Sequence, residues 1–438
     1  MQTKAKNKNM NIKSITIDGF CNIENSIIEL NKISSIIALN NYGKSNLIKA
    51  IDFAQTFLNQ VPKKRNSMMR YKPLIPINKK IASRNFIFGI EFETNFNSLK
   101  TLVYYSFSFE WVKDDGKKGA RIVGESLKYM PLKKDARYKT IIKRTITKSL
   151  YQSSKTGRCD NEIKIGKNEL LVNKLLNFDN LFYFNLLDEI NNINFAVVDS
   201  LSNPDRLFRT ISDYIPANNL EMPISSNTSF FVYNLKKKKP KQFELLKESI
   251  KSLLPNIEDF EPIEIDLKDE FEFESDSEKI PYELPEKLYD IRVKEYSNNQ
   301  QTTIANISSG SKKIFYVLAM AMAGELNKIP LITFEEVENS IHPALLQRLL
   351  IIIDALCDTT KILITSHSPY LIKYLEIDDI LIGIPSTDGV ARFRKIKKSK
   401  QSKLMNFAIE EENSIGDFIF DKLLDNSDDF FQEFIIEI

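Results

Sequence analysis

Apolar and polar residues alternate over Ile12–Ile17 and again over Asn25–Leu30, on either side of Gly19-Phe20. That two-residue period predicts two strands of a meander. Ile33–Leu39, ISSIIAL, is a β-branched run with no exposed face, so it predicts a buried strand. The run breaks at NNYGKSN, and apolar positions resume with helical spacing over Leu47–Leu58. Two aromatic strands are predicted over Phe86–Glu93 and Leu102–Val112, an antiparallel pair with one solvated face. Patterning then fades and returns beyond about residue 295. There a helix is predicted over Ile314–Leu326, a strand over Leu331–Phe334, a second strand from Ile362, and an amphipathic closing piece over Ile415–Leu424.

Charge explains the faded stretch. From about 60 to 85 the chain is basic with no acid, and residues 113–179 hold 17 Lys/Arg against 8 Asp/Glu. Residues 236–241 read KKKKPK, and then the sign flips, with 11 acids and one Lys over 258–278. An irregular, charge-segregated α+β lobe is therefore expected over 61–295, inserted into a head made of 1–60 and 296–385. Strands 86–112 are expected to join that head, and 386–438 to form a C-terminal extension.

The whole chain of 438 residues, with 42% hydrophobic and 27% charged, has globular composition. Its formal net charge of +3 is too small to mark a nucleic-acid binder by itself. Three dispersed cysteines and two histidines exclude a disulfide scaffold, a zinc ribbon and most His-based triads. The longest near-apolar stretches, Val317–Ala323 and Leu349–Ile353, fall far short of the roughly 18 residues of a membrane span. The basic start is followed by no apolar segment of signal-peptide type. A cytoplasmic protein with no membrane partner is expected.

Four short motifs carry chemistry. Ala38-Leu39-Asn40-Asn41-Tyr42-Gly43-Lys44-Ser45 fits the phosphate-loop pattern between a predicted strand and a predicted helix. Backbone N–H groups of residues 40–45 at a helix start favour phosphate, Lys44 supplies a mobile charge, and the Ser45 hydroxyl suits Mg²⁺. Ala38 stands where Gly is usual. Glu335-Glu336 close the strand Leu331–Phe334; such a pair can divide into a Mg²⁺ ligand and a proton acceptor, or simply be solvated acids. Ser308-Ser309-Gly310-Ser311-Lys312-Lys313 precedes a helix and offers either an anion site or an ordinary cap. His367, in ITSHSPYLI, ends a strand, and His342 lies nearby in sequence.

The order of these motifs, with FEEVENSIHPALLQRL and the opening IKSITIDGFCNIENSIIEL, resembles ABC-type ATPase heads of the SMC/RecF-like branch. The OLD-family and related defence ATPases look closest. The resemblance covers about 11–58 and 300–385. It implies an α/β fold: an ABC-type P-loop ATPase head with a mixed sheet and an inserted lobe. ATP and Mg²⁺ would be held by Asn40, Asn41, Tyr42, Gly43, Lys44, Ser45 and Asn46 of one head, facing Ser308 and Gly310 of a second. Glu335 would join Ser45 on Mg²⁺, Glu336 would be the general base, and His367 would sense the γ-phosphate. Glu338, Asn339 and His342 would lie in or beside a loop at the dimer interface.

Only 71 residues follow His367, and they carry no acid cluster of the Toprim nuclease kind, so a nuclease or toxin is expected in trans. Two functions remain. One is the ATPase subunit of an anti-phage, abortive-infection type complex, a homodimer or higher homo-oligomer that senses DNA or a phage protein and controls a separate effector. The other is a RecF-like DNA-repair ATPase whose basic runs follow a phosphate backbone. A transporter subunit fits neither the opening strands nor the mixed-charge insert.

Overall fold

The computed structural model describes residues 10–112, 118–198, 201, 208, 228–266, 287–384, 388–425 and 428–435. The chain divides into two compact units. The first comprises Met1–Phe195, Lys328–Thr333 and Thr359–Ile438; the second comprises Ala196–Asn327 and Phe334–Asp358.

The first unit holds an eight-stranded antiparallel sheet in the order β2-β1-β4-β5-β6-β7-β8-β9. β1 (Asn11–Asp18) and β2 (Ser26–Glu29) are the expected opening pair. β4 (Phe86–Phe96) and β5 (Leu99–Glu110) are the aromatic strands, each a few residues longer than the pattern predicts. The sheet then continues where no pattern was visible, through β6 (Arg121–Pro131), β7 (Lys139–Arg144), β8 (Ser149–Gln152) and β9 (Cys159–Glu162). The basic stretch over 118–162 is thus ordered strand rather than irregular lobe, because ladder pairing to β5 sets its conformation where side-chain period is too weak to do so.

A second, mixed sheet contains β3 (Ile33–Ala38), β14 (Leu331–Glu335), β15 (Lys361–Ser366), β16 (Ile380–Gly383) and β17 (Phe393–Lys395). β3 lies between β15 and β16 and is parallel to both; β17 is antiparallel at the edge, and β14 neighbours β15. All six residues of β3 are buried, as expected of a parallel strand covered on both faces. The helix Lys44–Asn59 touches β1, β3 and β15 and packs between the two sheets. It buries Leu47, Ile51, Ala54, Phe57 and Leu58, at 3- and 4-residue spacing. Phe57 stacks on Phe107 and Phe109, with ring centroids 5.2 and 4.8 Å away, and burial of one such ring contributes about 1.5–3 kcal/mol. The expected α/β class, with a mixed sheet and a strand–loop–helix entry, is the observed one. Of the tail, the helices Lys398–Glu410 and Ile415–Leu424 belong to this unit, the second as the pattern predicts.

The second unit begins with the short strand β10 (Ala196–Val198) and contains an antiparallel sheet, β11 (Ile257–Asp266), β12 (Lys287–Glu295) and β13 (Thr302–Thr303). Helices Thr228–Lys238, Pro240–Leu253, Ser309–Asn327 and Pro343–Leu356 complete it. Ser309–Asn327 is buried all round from Lys312 to Gly324 and forms the axis of this core, with Phe315 4.9 Å from Phe260. The described half of the acidic run lies on β11, where Glu258, Asp259, Glu261 and Glu264 pair with Lys294, Lys247, Lys236 and Lys287. Residues 267–278 of that run lie outside the described residues.

Candidate functional site

In the first unit β3 ends at Ala38 and the helix starts at Lys44, so the expected phosphate loop occupies the turn between them. Asn41 (φ 61°) and Gly43 (φ 104°) are left-handed, the conformations from which an anion-binding nest of N–H groups is built. Gly43 is required twice over. Its φ is one that L residues rarely adopt, and a Cβ there would lie 2.8 Å from Asn22 Oδ1 and 2.9 Å from Ala391 Cβ. Lys44 is 6% exposed and donates from Nζ to the carbonyls of Ala38 (2.8 Å) and Leu39 (3.0 Å), which folds its charge back over the loop. No acid stands in the first helical turn to compete with a phosphate. Asn46 donates to Asn22 Oδ1 at 2.9 Å. These residues fit a polyphosphate: a left-handed turn, a helix start and a held ammonium converge on residues 40–46.

The Tyr42 side chain is engaged elsewhere. Its hydroxyl donates to Ile384 O and accepts from the Arg392 N–H at 3.3 Å, and its ring meets Phe393 edge-on at 5.9 Å. Arg392 is held by Glu24 and Asp388, Arg84 by Asp18 and Glu24, and Lys80 by Asp388. The loop is thus braced from behind by an ion network. The same network takes up part of the basic run 63–84, of which Lys63, Lys64, Arg70, Lys72 and Lys79 are exposed. Arg84 and Lys80 are paired, and Arg65 is 2% exposed, donating to Phe57 O (2.8 Å) and Leu58 O (2.7 Å). Burial pushes the Arg65 guanidinium below its ordinary value.

His367 belongs to the same unit. Ser366, the last residue of β15, pairs with Ile37 of β3, so His367 leaves its strand beside the place where Ala38 enters the loop. That edge, outside the carboxyl ends of adjacent parallel strands, is where open α/β sheets generally bind ligands.

Glu335 closes β14 and is described with the second unit, which the chain enters at Phe334. Glu336 follows with φ 51°, left-handed and costly for a residue with a Cβ. The Asn339 N–H donates to Glu336 O (3.2 Å) and the Asn339 side-chain amide to Glu336 Oε2 (2.7 Å), closing a turn around the carboxylate. His342 caps the helix Pro343–Leu356, its Nδ1 accepting from Ala344 N at 3.2 Å. Ser308 is likewise a cap: its Oγ accepts from Ser311 N at 3.2 Å, at the start of Ser309–Asn327. Gly310 meets the glutamate loop directly, since a Cβ there would lie 2.4 Å from Ser340 O. Ser308, Gly310, Glu335 and Glu336 thus share the second unit, while Asn40–Asn46 and His367 share the first. Among the described residues no group of three or more His, Cys, Asp or Glu is placed to hold a metal. Mg²⁺ needs no such cage, because it is held by one or two protein oxygens together with phosphate and water. Taken separately, the Ser45 hydroxyl in the first unit and the Glu335 carboxylate in the second are oxygen donors of the required kind.

A family model described as "AAA domain, putative AbiEii toxin, Type IV TA system" matches residues 133–373, more than half of the chain. The chain belongs to this AAA family. The matched span of the AAA chain holds Ser308, Gly310, Glu335, Glu336 and His367, and the loop 38–46 precedes it. No curated protein matches the AAA chain. Among solved structures, an SMC head bound to the C-terminal winged-helix domain of ScpA is 14% identical over 90% of this chain and 99% of its own, at a TM-score of 0.47. The SMC head domain from Thermotoga maritima is 12% identical over 89% and 100%, at 0.41. An SMC head from Pyrococcus furiosus, with extended coiled coil and the C-terminal domain of ScpA, is 12% identical over 91% and 100%, at 0.44. At these scores the likenesses add nothing to the fold of the AAA chain, which rests on its strand order. Among its described residues no helix is long and apolar enough to cross a membrane.

Sequence reasoning passed over Asn22, Ala391 and Arg392, which brace the loop from 20 residues before it and some 350 after it. Lys313 it named only as the end of the motif before the helix; the residue is 2% exposed and donates to Asn339 O at 2.6 Å. The signal was present: Lys312-Lys313 runs without a break into IFYVLAMAMA, and a helix apolar on every side must bury the lysines that open it.

Proposed function

We propose that the chain binds and hydrolyses ATP as a subunit of a bacterial anti-phage defence complex of the abortive-infection type, closing head to head on the nucleotide to control a separate effector. The observation that carries nucleotide binding is the left-handed turn at Asn41 and Gly43 with Lys44 held over it at the start of a helix. The match to an AbiEii-type family supports the setting in defence. The finer likeness to OLD-family ATPases rests on the motifs alone. In this reading Lys44 binds the β- and γ-phosphates, and the N–H groups of Asn40 to Asn46 cradle them. Ser45 and Glu335 hold Mg²⁺, which supplies charge neutralisation when bound. Glu336 takes the proton of the attacking water, and His367 reads the γ-phosphate. Ser308 and Gly310 act from the second copy, so a lone head leaves the site incomplete.

The test is co-purification of the tagged chain from its native operon, with mass measured with and without ATP. A stable nuclease- or toxin-like partner and an ATP-dependent dimer are expected. A chain whose mass ignores ATP, and whose nucleotide binding survives Lys44→Ala, would refute the reading.

One observation favours a second reading, a DNA-binding repair ATPase. The β4–β7 sheet carries a groove of about 360 Å³ whose lining includes Lys128, Lys143 and Arg144 beside Ser106, Ser126 and one acid, Glu125. Neither lysine has an acidic partner among the described residues. Duplex binding that weakens steeply with salt and is lost on reversing Lys128 and Lys143 to Glu would establish this reading.

A further inference from the structure

The helix Ser309–Asn327 and the loop 336–342 are bound to one another inside the second unit, and the tie ends on Glu336. Three contacts make it. Lys313 Nζ donates to Asn339 O at 2.6 Å, the Asn339 amide donates to Glu336 Oε2 at 2.7 Å, and Gly310 admits Ser340 O where a Cβ would be only 2.4 Å away. The arrangement is costly. Glu336 (φ 51°) and Ser340 (φ 68°) both sit in the left-handed region, and Lys313 is 2% exposed. Burial pushes the Lys313 ammonium below its ordinary value, against the carboxylates of Glu338 and Glu336, which pull it back up. Strained backbone and a buried cation persist only where the surroundings over-determine them, and such strain gathers at functional sites.

We propose that Asn339 and Lys313 are positioning residues for Glu336: Asn339 sets the orientation of the carboxylate, and Lys313 fixes Asn339 to the helix that begins at Ser309. This rests on Glu336 being the general base. A side-chain amide that engages one carboxylate oxygen fixes the plane of the other, and a proton acceptor misplaced by about 1 Å can cost on the order of a hundredfold in rate. The bond from Lys313 Nζ to the Asn339 carbonyl keeps the turn carrying that amide from relaxing out of its left-handed conformation. Because the tie runs to the helix capped by Ser308, a shift of that helix start is transmitted to the base within the same head.

The experiment measures steady-state phosphate release and nucleotide affinity on the full chain, for Asn339→Ala, Lys313→Met and Glu336→Gln, singly and combined. Asn339→Ala is expected to lower kcat by about tenfold to a hundredfold, with KM and nucleotide affinity within about twofold of the parent. Lys313→Met, of similar length and suited to an apolar surround, is expected to lower kcat in the same way. The double variant should fall no further than the worse single, because both act through one group. In the Glu336→Gln background neither substitution should have any effect. An unchanged kcat for Asn339→Ala alongside an inactive Glu336→Gln would overturn the positioning role and leave the base assignment standing. A Glu336→Gln chain at the parent rate would instead overturn the base assignment. If Asn339→Ala does not fold, Asn339→Ser serves in its place; a rise in KM with kcat unchanged would also refute the proposal.

Discussion

Replacing Gly43 by alanine tests the loop geometry with a number that follows from the structure. Two costs arise. At φ 104° a residue with a Cβ pays about 1–2 kcal/mol in the left-handed region. The new methyl would also stand 2.8 Å from Asn22 Oδ1 and 2.9 Å from Ala391 Cβ, and overpacking of that kind costs about 1–3 kcal/mol. The loop escapes both by opening, so about 2–5 kcal/mol is lost from the nucleotide-ready conformation. At about 1.4 kcal/mol per factor of ten, affinity should fall by roughly thirtyfold to several thousandfold. Titration of a fluorescent ATP analogue, with thermal melting as a control for folding, measures it. The two costs separate in Gly43→Ala combined with Asn22→Ala, which removes the nearer contact and keeps the φ strain. That double variant should recover about tenfold, less what Asn22 contributes through its hydrogen bond to Asn46, about 1 kcal/mol. A Gly43→Ala chain that binds within threefold of the parent would refute the phosphate-loop geometry. A double variant that binds about fivefold more weakly than Gly43→Ala, with the Asn22 hydrogen bond lost and nothing regained, would refute the steric part.

Three further outcomes are expected. Tyr42→Phe keeps the ring on Phe393 but loses the hydroxyl that ties the loop to Ile384 and Arg392, so nucleotide affinity should fall by a few-fold to about tenfold, read in the same titration. Glu125 is 3% exposed and accepts from Leu171 N, Val172 N and the Tyr105 hydroxyl; Glu125→Gln turns an amide donor toward one of those N–H groups and should cost about 2–4 kcal/mol in a chemical-denaturation series. Burial raises the folded Glu125 pKa above its ordinary 4.5, so its stabilisation is full below that range and is lost as pH rises through the folded value; the variant should therefore lose most, relative to the parent, at acid pH, and a penalty that grows with pH would contradict this. The Lys236–Glu261 pair is about half exposed on both sides, so Glu261→Gln should change stability by no more than about 1 kcal/mol, and a larger change would show that the acidic strand does more than neutralise its neighbours.

What the sequence disclosed and what it withheld divide along a physical line. β1, β2, β3 and the helix after the loop are legible because each buries one face or both, and a buried face imposes a period on its residues. β9 (CDNE) has no buried residue, and β7 (KTIIKR) buries Ile141, Ile142 and Arg144 without an apolar alternation; their conformation comes from ladder bonds to neighbours, and ladder bonds leave no mark in composition. The same distinction runs through the candidate site. Gly43, Lys44, Glu335, Glu336 and His367 are recognisable because a phosphate loop and a carboxylate pair are local arrangements, written in a few consecutive residues. Their supports are not local: Asn22 and Ala391 close on Gly43 from 21 and 348 positions away, and Lys313 reaches the turn of Glu336 across 26. A support of this kind is chosen for where the fold delivers it, so its residue type alone says little. A lysine beside a lysine reads as solvated surface until the apolar helix around it is known to be buried on every side. Substitutions at the support positions therefore carry the sharper test of the structure, because a motif lost from the loop would fail under any fold, whereas the loss expected at Asn22 or Lys313 follows only from this one.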